Sequence, residues 1–150
     1  MEIVQATISN AKDIANIEYN SGYYWSKYSL DKEIKLAKLL LSEGKEKVFL
    51  EKENSEFVGY ISIRIENNIG EIGMSVLKNY QGKGIGSKLT SYIIDFARSN
   101  NCKKIKLAVW ENNIKAINLY KKFGFIIKSE KKNFYDNGDS VLYMELELVK

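Results

Sequence analysis

Gln81-Gly82-Lys83-Gly84-Ile85-Gly86-Ser87-Lys88 lies where one kind of hydrophobic patterning gives way to another. Residues 71–77, just before it, read as a strand. Ile85, Leu89, Ile93 and Phe96 follow the spacing of one helix face. Three glycines at alternate positions therefore mark the handover from strand to helix. Glycine lets the chain turn sharply and leaves bare amides open to a ligand. The first N–H groups of a helix have no internal acceptor, and the aligned peptide dipoles add about half a positive charge there. Together these features suit an anion, most often a phosphate. Lys83 and Lys88 add mobile positive charge nearby. A turn that only starts a helix is the plainer alternative, because a glycine-rich loop alone is a weak signal.

Two common phosphate loops do not fit. No reading frame supplies the four residues that a Walker loop needs between its first glycine and Gly-Lys-Ser/Thr. The dinucleotide fingerprint needs G-x-G-x-x-G and an acid about 20 residues on; here the spacing is G-x-G-x-G, and Lys103, Lys104 and Lys106 stand where the acid belongs. What fits is Q-x-x-G-x-G, with Gln81, Gly84 and Gly86 in the fixed places. This resembles the pyrophosphate loop of the GNAT superfamily, the N-acyltransferases that use acyl-coenzyme A. Downstream, Asn113-x-x-Ala116-x-x-Leu119-Tyr120-x-x-x-Gly124-Phe125 resembles the second cofactor motif of the same superfamily. Two motifs in the right order are far more specific than one. They span about residues 71–125, and the flanks agree only in their pattern of elements.

Composition sets outer bounds. The chain has 150 residues, a size that suits one domain, residues 1–150, burying roughly 70% of its unfolded surface. Its single cysteine, Cys102, allows no internal disulfide and points to a reducing, cytoplasmic setting. With no histidine, a histidine base is excluded and no metal site is expected. No apolar run approaches the ~18 residues of a membrane span. The formal net charge of +4 suits nucleic acid, acidic protein or a multiply anionic cofactor. No stacking aromatics accompany the lysines in a recognisable RNA or DNA motif, so nucleic acid ranks last.

Along the chain, residues 2–8 alternate as a strand. Ser9 or Asn10 caps a helix to about Tyr19, with Ile14 and Ile17 inward. A dense aromatic loop follows, with Tyr23, Tyr24, Trp25 and Tyr28. A second helix spans residues 30–43, with Leu30, Ile34, Ala37 and Leu41 in period, Ser29 as cap and Gly44 as stop. Three strands then form an antiparallel meander at 47–53, 57–66 and 69–77, turning at Asn54-Ser55 and Asn67-Asn68. The third helix reaches about Asn100. A strand at 105–110, reached by a crossover, lies parallel to the one at 69–77. The fourth helix starts near Asn113 and stops at Gly124. A final hairpin runs from residues 126–135 through Asn137-Gly138. The expectation is an α+β, GNAT-like three-layer domain: a mixed, mostly antiparallel seven-stranded sheet with four helices.

What the resemblance implies can be stated residue by residue. The superfamily's fourth strand bulges and splays from the fifth, and the pantetheine arm of the acyl-CoA lies in the gap. Here that backbone is Met74, Ser75 and Val76, with Gly73 as the candidate bulge. The amides of Gln81, Gly82, Lys83, Gly84, Ile85, Gly86 and Ser87 would hold the diphosphate. Asn113 would bond the arm, or else only cap its helix. Tyr120 takes the place of the tyrosine beside the coenzyme sulfur, where it gives a proton to the leaving thiolate. Glu71 matches the base of some members, or else is a solvent-facing strand residue. Tyr23, Tyr24, Trp25 and Tyr28 fall where the acceptor pocket is built, and Phe134 and Tyr135 would help close it. Peptide-acetylating members often carry a glutamate on the fifth strand, where this chain has Ala108. The implied co-substrate is acetyl-CoA, without metal. The implied acceptor is a primary amine of a small molecule or polyamine. A protein N-terminus or lysine (ribosomal-protein type) and a non-catalytic acyl-CoA-binding module are the alternatives. No membrane or nucleic-acid partner is expected, and a homodimer is left open.

Overall fold

A computed structural model describes residues 2–22 and 29–148; the aromatic cluster Tyr23, Tyr24, Trp25 and Tyr28 lies outside the described residues. Among them, seven strands form one sheet: β1 (Glu2–Gln5), β2 (Glu46–Glu53), β3 (Glu56–Glu66), β4 (Ile69–Val76), β5 (Lys104–Trp110), β6 (Ile126–Lys131) and β7 (Val141–Glu147). The order across the sheet is β1-β2-β3-β4-β5-β7-β6. Only β4 and β5 are parallel, as a strand–helix–strand crossover requires. The four α-helices are α1 (Ala11–Tyr19), α2 (Leu30–Glu43), α3 (Ile85–Ser99) and α4 (Ile114–Lys122). None of the described helices is long and apolar enough to cross a membrane.

The layers follow from the two-residue period of the strands. Phe49 and Ile61 are opposite each other, as are Ile61 and Met74. This face meets α3: the Phe49 ring packs on Tyr92 and Phe96 at 4.9 and 5.0 Å between centroids. Leu50, Tyr60 and Ser75 are likewise in register on the other face, and Tyr60 and Ser75 meet α1. Ile85, Leu89 and Ile93 are buried, and Ala97 continues the stripe at the same spacing. The turns between β2 and β3 and between β3 and β4 place Asn54, Ser55, Asn67 and Asn68 at positive φ. These are the left-handed pairs that a tight two-residue hairpin needs.

The structure departs from the sequence expectations in four places. β1 ends at Gln5, and residues 8–10 form a 3-10 turn in which Asn10 Oδ1 accepts the Thr7 N–H at 2.9 Å. On α2, only Ala37 of the four periodic residues is buried, and Leu30 is exposed. The β3–β4 register runs unbroken from Gly59↔Val76 to Glu66↔Ile69, so Gly73 marks no bulge there. β6 ends at Lys131, and Asn137-Gly138 turns inside a longer loop over residues 132–140. That loop is held by the Phe134 and Tyr135 N–H groups, which both donate to the Asp139 carbonyl. Asp139 closes it further: its carboxylate accepts from Trp110 Nε1, Asn137 Nδ2 and Asn112 Nδ2 at 2.8, 2.8 and 3.0 Å.

Candidate active site

β4 and β5 pair only at Ile69↔Lys104, Gly70↔Ile105 and Glu71↔Lys106. Beyond Glu71 they part, while β4 stays paired with β3 and β5 with β7. The splay therefore opens a V without a bulge. Its walls are residues 72–76 and 107–110, and Asn113, Ala116 and Tyr120 of the α4 segment, Tyr135 and Glu18 complete a cavity of about 390 Å³. A second cavity, about 440 Å³, lies over the glycine loop. It is lined by Gln81, Gly82, Gly84, Gly86, Ser87, Lys115 and Lys122 among others. Met74, Val76 and Ala116 line both cavities, so the free edge of β4 connects them.

The loop is built to present amides. Gly82 and Gly84 stand at φ +77° and +88°, with nothing among the described residues within 4 Å of the place a Cβ would take. The first bond of α3 runs from the Lys88 N–H to the Gly84 carbonyl. No protein acceptor meets the N–H groups of Gly82, Lys83, Gly84, Ile85, Gly86 and Ser87 among the described residues. Six bare amides at a helix start form a concave donor set that fits a diphosphate. Gly86 has a packing reason as well: a Cβ there would stand 3.1 Å from Leu119 and 3.4 Å from the Met74 methyl. The Gln81 side chain faces the protein. Its Nε2 donates to the Ser21 and Val76 carbonyls at 2.9 and 3.0 Å, tying the end of α1 to the end of β4 beneath the loop. The Ile85 side chain is buried in the core, leaving only its amide for a ligand. Lys83 Nζ lies over the Tyr80 ring at 5.3 Å. Neither Lys83 nor Lys88 lines the cavity; Lys115 and Lys122 supply its positive charge.

Tyr120 is buried, packs on Phe125 at 5.5 Å between centroids and lines the V. Asn113 does two things at once. Its Oδ1 accepts the Ala116 N–H at 3.3 Å as the cap of α4, and the residue lines the same cavity. Ser75 lines the V from β4 and Ala108 from β5. Tyr135 reaches the V from the terminal loop, and burial, then Tyr143, pushes its phenol up. Phe134 packs edge-on against Tyr135 at 5.1 Å and is exposed.

Glu71 is not brought to this cavity. It stands at the closed end of the V, exposed, 3.8 Å from Lys106 Nζ. It lines a separate hollow with Arg64, Glu66, Asn67, Ile69 and Lys106. The carboxylate that does line the V is Glu18, at the end of α1. Its Oε2 accepts from Tyr60 Oη at 2.8 Å and from Ser75 Oγ at 2.5 Å. Burial, with the Glu18 charge next, raises the Tyr60 phenol well above its ordinary value, so that hydroxyl remains a donor. Sequence reading missed Glu18 because its partners lie 42 and 57 residues away. The one local signal was its position four residues after the inward Ile14.

The sequence model described as Acetyltransferase (GNAT) family matches residues 10–125. A spermine/spermidine N(1)-acetyltransferase of Bacillus subtilis is 44% identical over 70 residues, covering 46% of this chain and 44% of the relative. The chain thus spans less than half the length of that curated relative. Among solved structures, the ribosomal-protein-S18-alanine N-acetyltransferase of Escherichia coli superposes with a TM-score of 0.84 at 19% identity, covering 99% of this chain and 94% of that one. The yncA protein of Salmonella typhimurium, solved with its cofactor acetyl-CoA, gives a TM-score of 0.79 at 22% identity, with 99% and 94% covered. Both structural likenesses concern the fold.

Proposed function

The chain belongs to the acetyltransferase (GNAT) family, and from that premise we propose that it transfers an acetyl group from acetyl-CoA to a primary amine of a small molecule or polyamine, by direct attack in a ternary complex. One observation carries this reading: the glycine loop, with its unpartnered amides among the described residues, and Tyr120 line two cavities that share Met74, Val76 and Ala116 along the free edge of β4. The loop amides, with Lys115 and Lys122, would hold the diphosphate. The backbone of Met74, Ser75 and Val76 has no β5 partner and offers strand-like groups to an amide-bearing arm. Bound acetyl-CoA supplies a thioester carbonyl and a thiol leaving group. Tyr120 holds a proton where that sulfur would leave. The assistance is modest, because a thiol near pKa ~8.5 already leaves well against a phenol near ~10. Such proton donation is typically worth about 10²–10⁴ in rate.

Transfer to a protein amine is the second reading, and the fold, which the Escherichia coli enzyme shares, is compatible with it. Against it, Ala108 places no carboxylate on β5 at the V. The test is a turnover screen that monitors free thiol from acetyl-CoA across polyamines, amino acids, aminoglycosides and short peptides. Turnover confined to small amines is expected. Thermal stabilisation by acetyl-CoA with no turnover on any acceptor would instead indicate a binding module.

A further inference from the structure

The walls of the V differ in character. The α4 side offers Asn113, Ala116 and Tyr120, and the β5 side is mostly apolar through Leu107, Ala108 and Val109. Within the cavity lining, the only carboxylate among the described residues is Glu18. It comes from α1, at the far side of β4 from the helix that carries the glycine loop. Two hydroxyls on neighbouring strands fix it. Tyr60 and Ser75 are directly paired across β3 and β4, and both donate to the same oxygen of Glu18. Holding a long side chain in one rotamer costs conformational entropy. Two strand-borne donors have already met that cost.

Resting on the acetyl-transfer reading, we infer that Glu18 is the residue that receives the acceptor: its carboxylate takes the primary ammonium by a charge-assisted hydrogen bond and restricts the site to cationic amines. Tyr60 and Ser75 are its positioning residues. Such a bond joins full opposite charges in a half-buried cleft, where it is about twice as strong as a neutral one. Glu33 of α2 adds charge of the same sign. It lines the adjoining groove between α1 and α2, which also contains Glu18 and Tyr60. An acceptor entering along that groove meets negative charge before it meets the β4 edge. Glu71 lies outside the V, opposite Lys106.

Calorimetry with the full chain, without acetyl-CoA, tests this directly. The probes are 1,4-diaminobutane and its uncharged counterpart 1,4-butanediol. The wild type is expected to bind the diamine and not the diol. Glu18→Gln should weaken diamine binding by about 10- to 100-fold, the size of a lost charged hydrogen bond. Glu18→Asp keeps the charge and should retain more of the diamine affinity than Glu18→Gln, while a loss as large as that of Glu18→Gln would assign the effect to packing and overturn the assignment. Tyr60→Phe removes one of the two donors that position the carboxylate and should weaken binding by less than Glu18→Gln does. Diamine binding that Glu18→Gln leaves unchanged overturns it, as does a wild type that fails to bind the diamine. A wild-type affinity that does not weaken between about 0.02 and 0.3 M salt does so too, and this measurement needs no variant to fold. Acetyl-CoA thermal shifts are run in parallel. They should be equal in all variants, and their absence in the wild type would count against acetyl transfer itself, separately from Glu18.

Discussion

Tyr120 and Glu51 are both buried, and Tyr120 lines the V. Tyr120→Phe removes one oxygen and keeps the ring that packs on Phe125. The expected result is a kcat lowered by no more than about 10²–10⁴ with an unchanged melting temperature; an unchanged kcat would remove Tyr120 from the reaction. Glu51 poses a different question. It is fully buried on β2, and neither carboxylate oxygen meets a hydrogen-bond partner among the described residues. Burial, reinforced by Glu53 and opposed by Lys88, raises its carboxyl above the ordinary value. A raised acid binds its proton more readily when folded, so its contribution favours the native state at low pH and is lost as pH rises through the raised value. Glu51→Gln should therefore melt higher than wild type at neutral pH. Each kcal/mol is worth about 2–4 °C in a domain of this size. The difference should close below pH ~4, and melts across that range would show it.

Among the elements, the loop from Gln81 to the start of α3 was the most legible in sequence, because its glycines, its amides and the helix period all lie within a few residues. Gly84→Ala isolates the backbone. No atom of the described residues obstructs the new methyl, so the cost comes from φ +88°, about 1–2 kcal/mol for an L-residue. A slightly lower melting temperature is expected, together with loss of most of the stabilisation by acetyl-CoA. Full retention of that stabilisation would mean that the loop does not hold the ligand. The terminal hairpin was half legible. Asn137-Gly138 does turn, with Gly138 at φ +88°, but Asp139 captures Trp110 and Asn112 from the β5 end. Those side chains pull the connection off the strand path and set Tyr135 at the V. The Trp110 hydrogen bond, with help from Asn137 and Asn112, holds the Asp139 carboxyl below its usual range against some desolvation. Asp139→Ala should raise the acceptor KM more than it lowers kcat, as steady-state kinetics would reveal.

At the scale of the whole molecule, the layers could be read from sequence because two-residue and helical periods record which face is inward. The meander and the parallel crossover could be read from the connections; the place of β7 between β5 and β6 could not. Glu18 could not, since what matters about it is its meeting with Tyr60 and Ser75 across long separations. No local pattern encodes such a meeting. The same limit applies to Glu71, whose strand position fitted a base but whose side chain stands outside the V.

The sheet is in effect two smaller sheets, β1 to β4 and β5 to β6, stitched by three residue pairs. A ligand laid along β4 would supply rungs that the polypeptide itself omits, and it would share the work of holding the two leaves together. Hydrogen exchange should then slow on binding at residues 74–76 and 107–110 alike, although the second group need not touch the ligand. Such a protein would keep its most pliable joint at the place it uses, and would be stiffest when loaded.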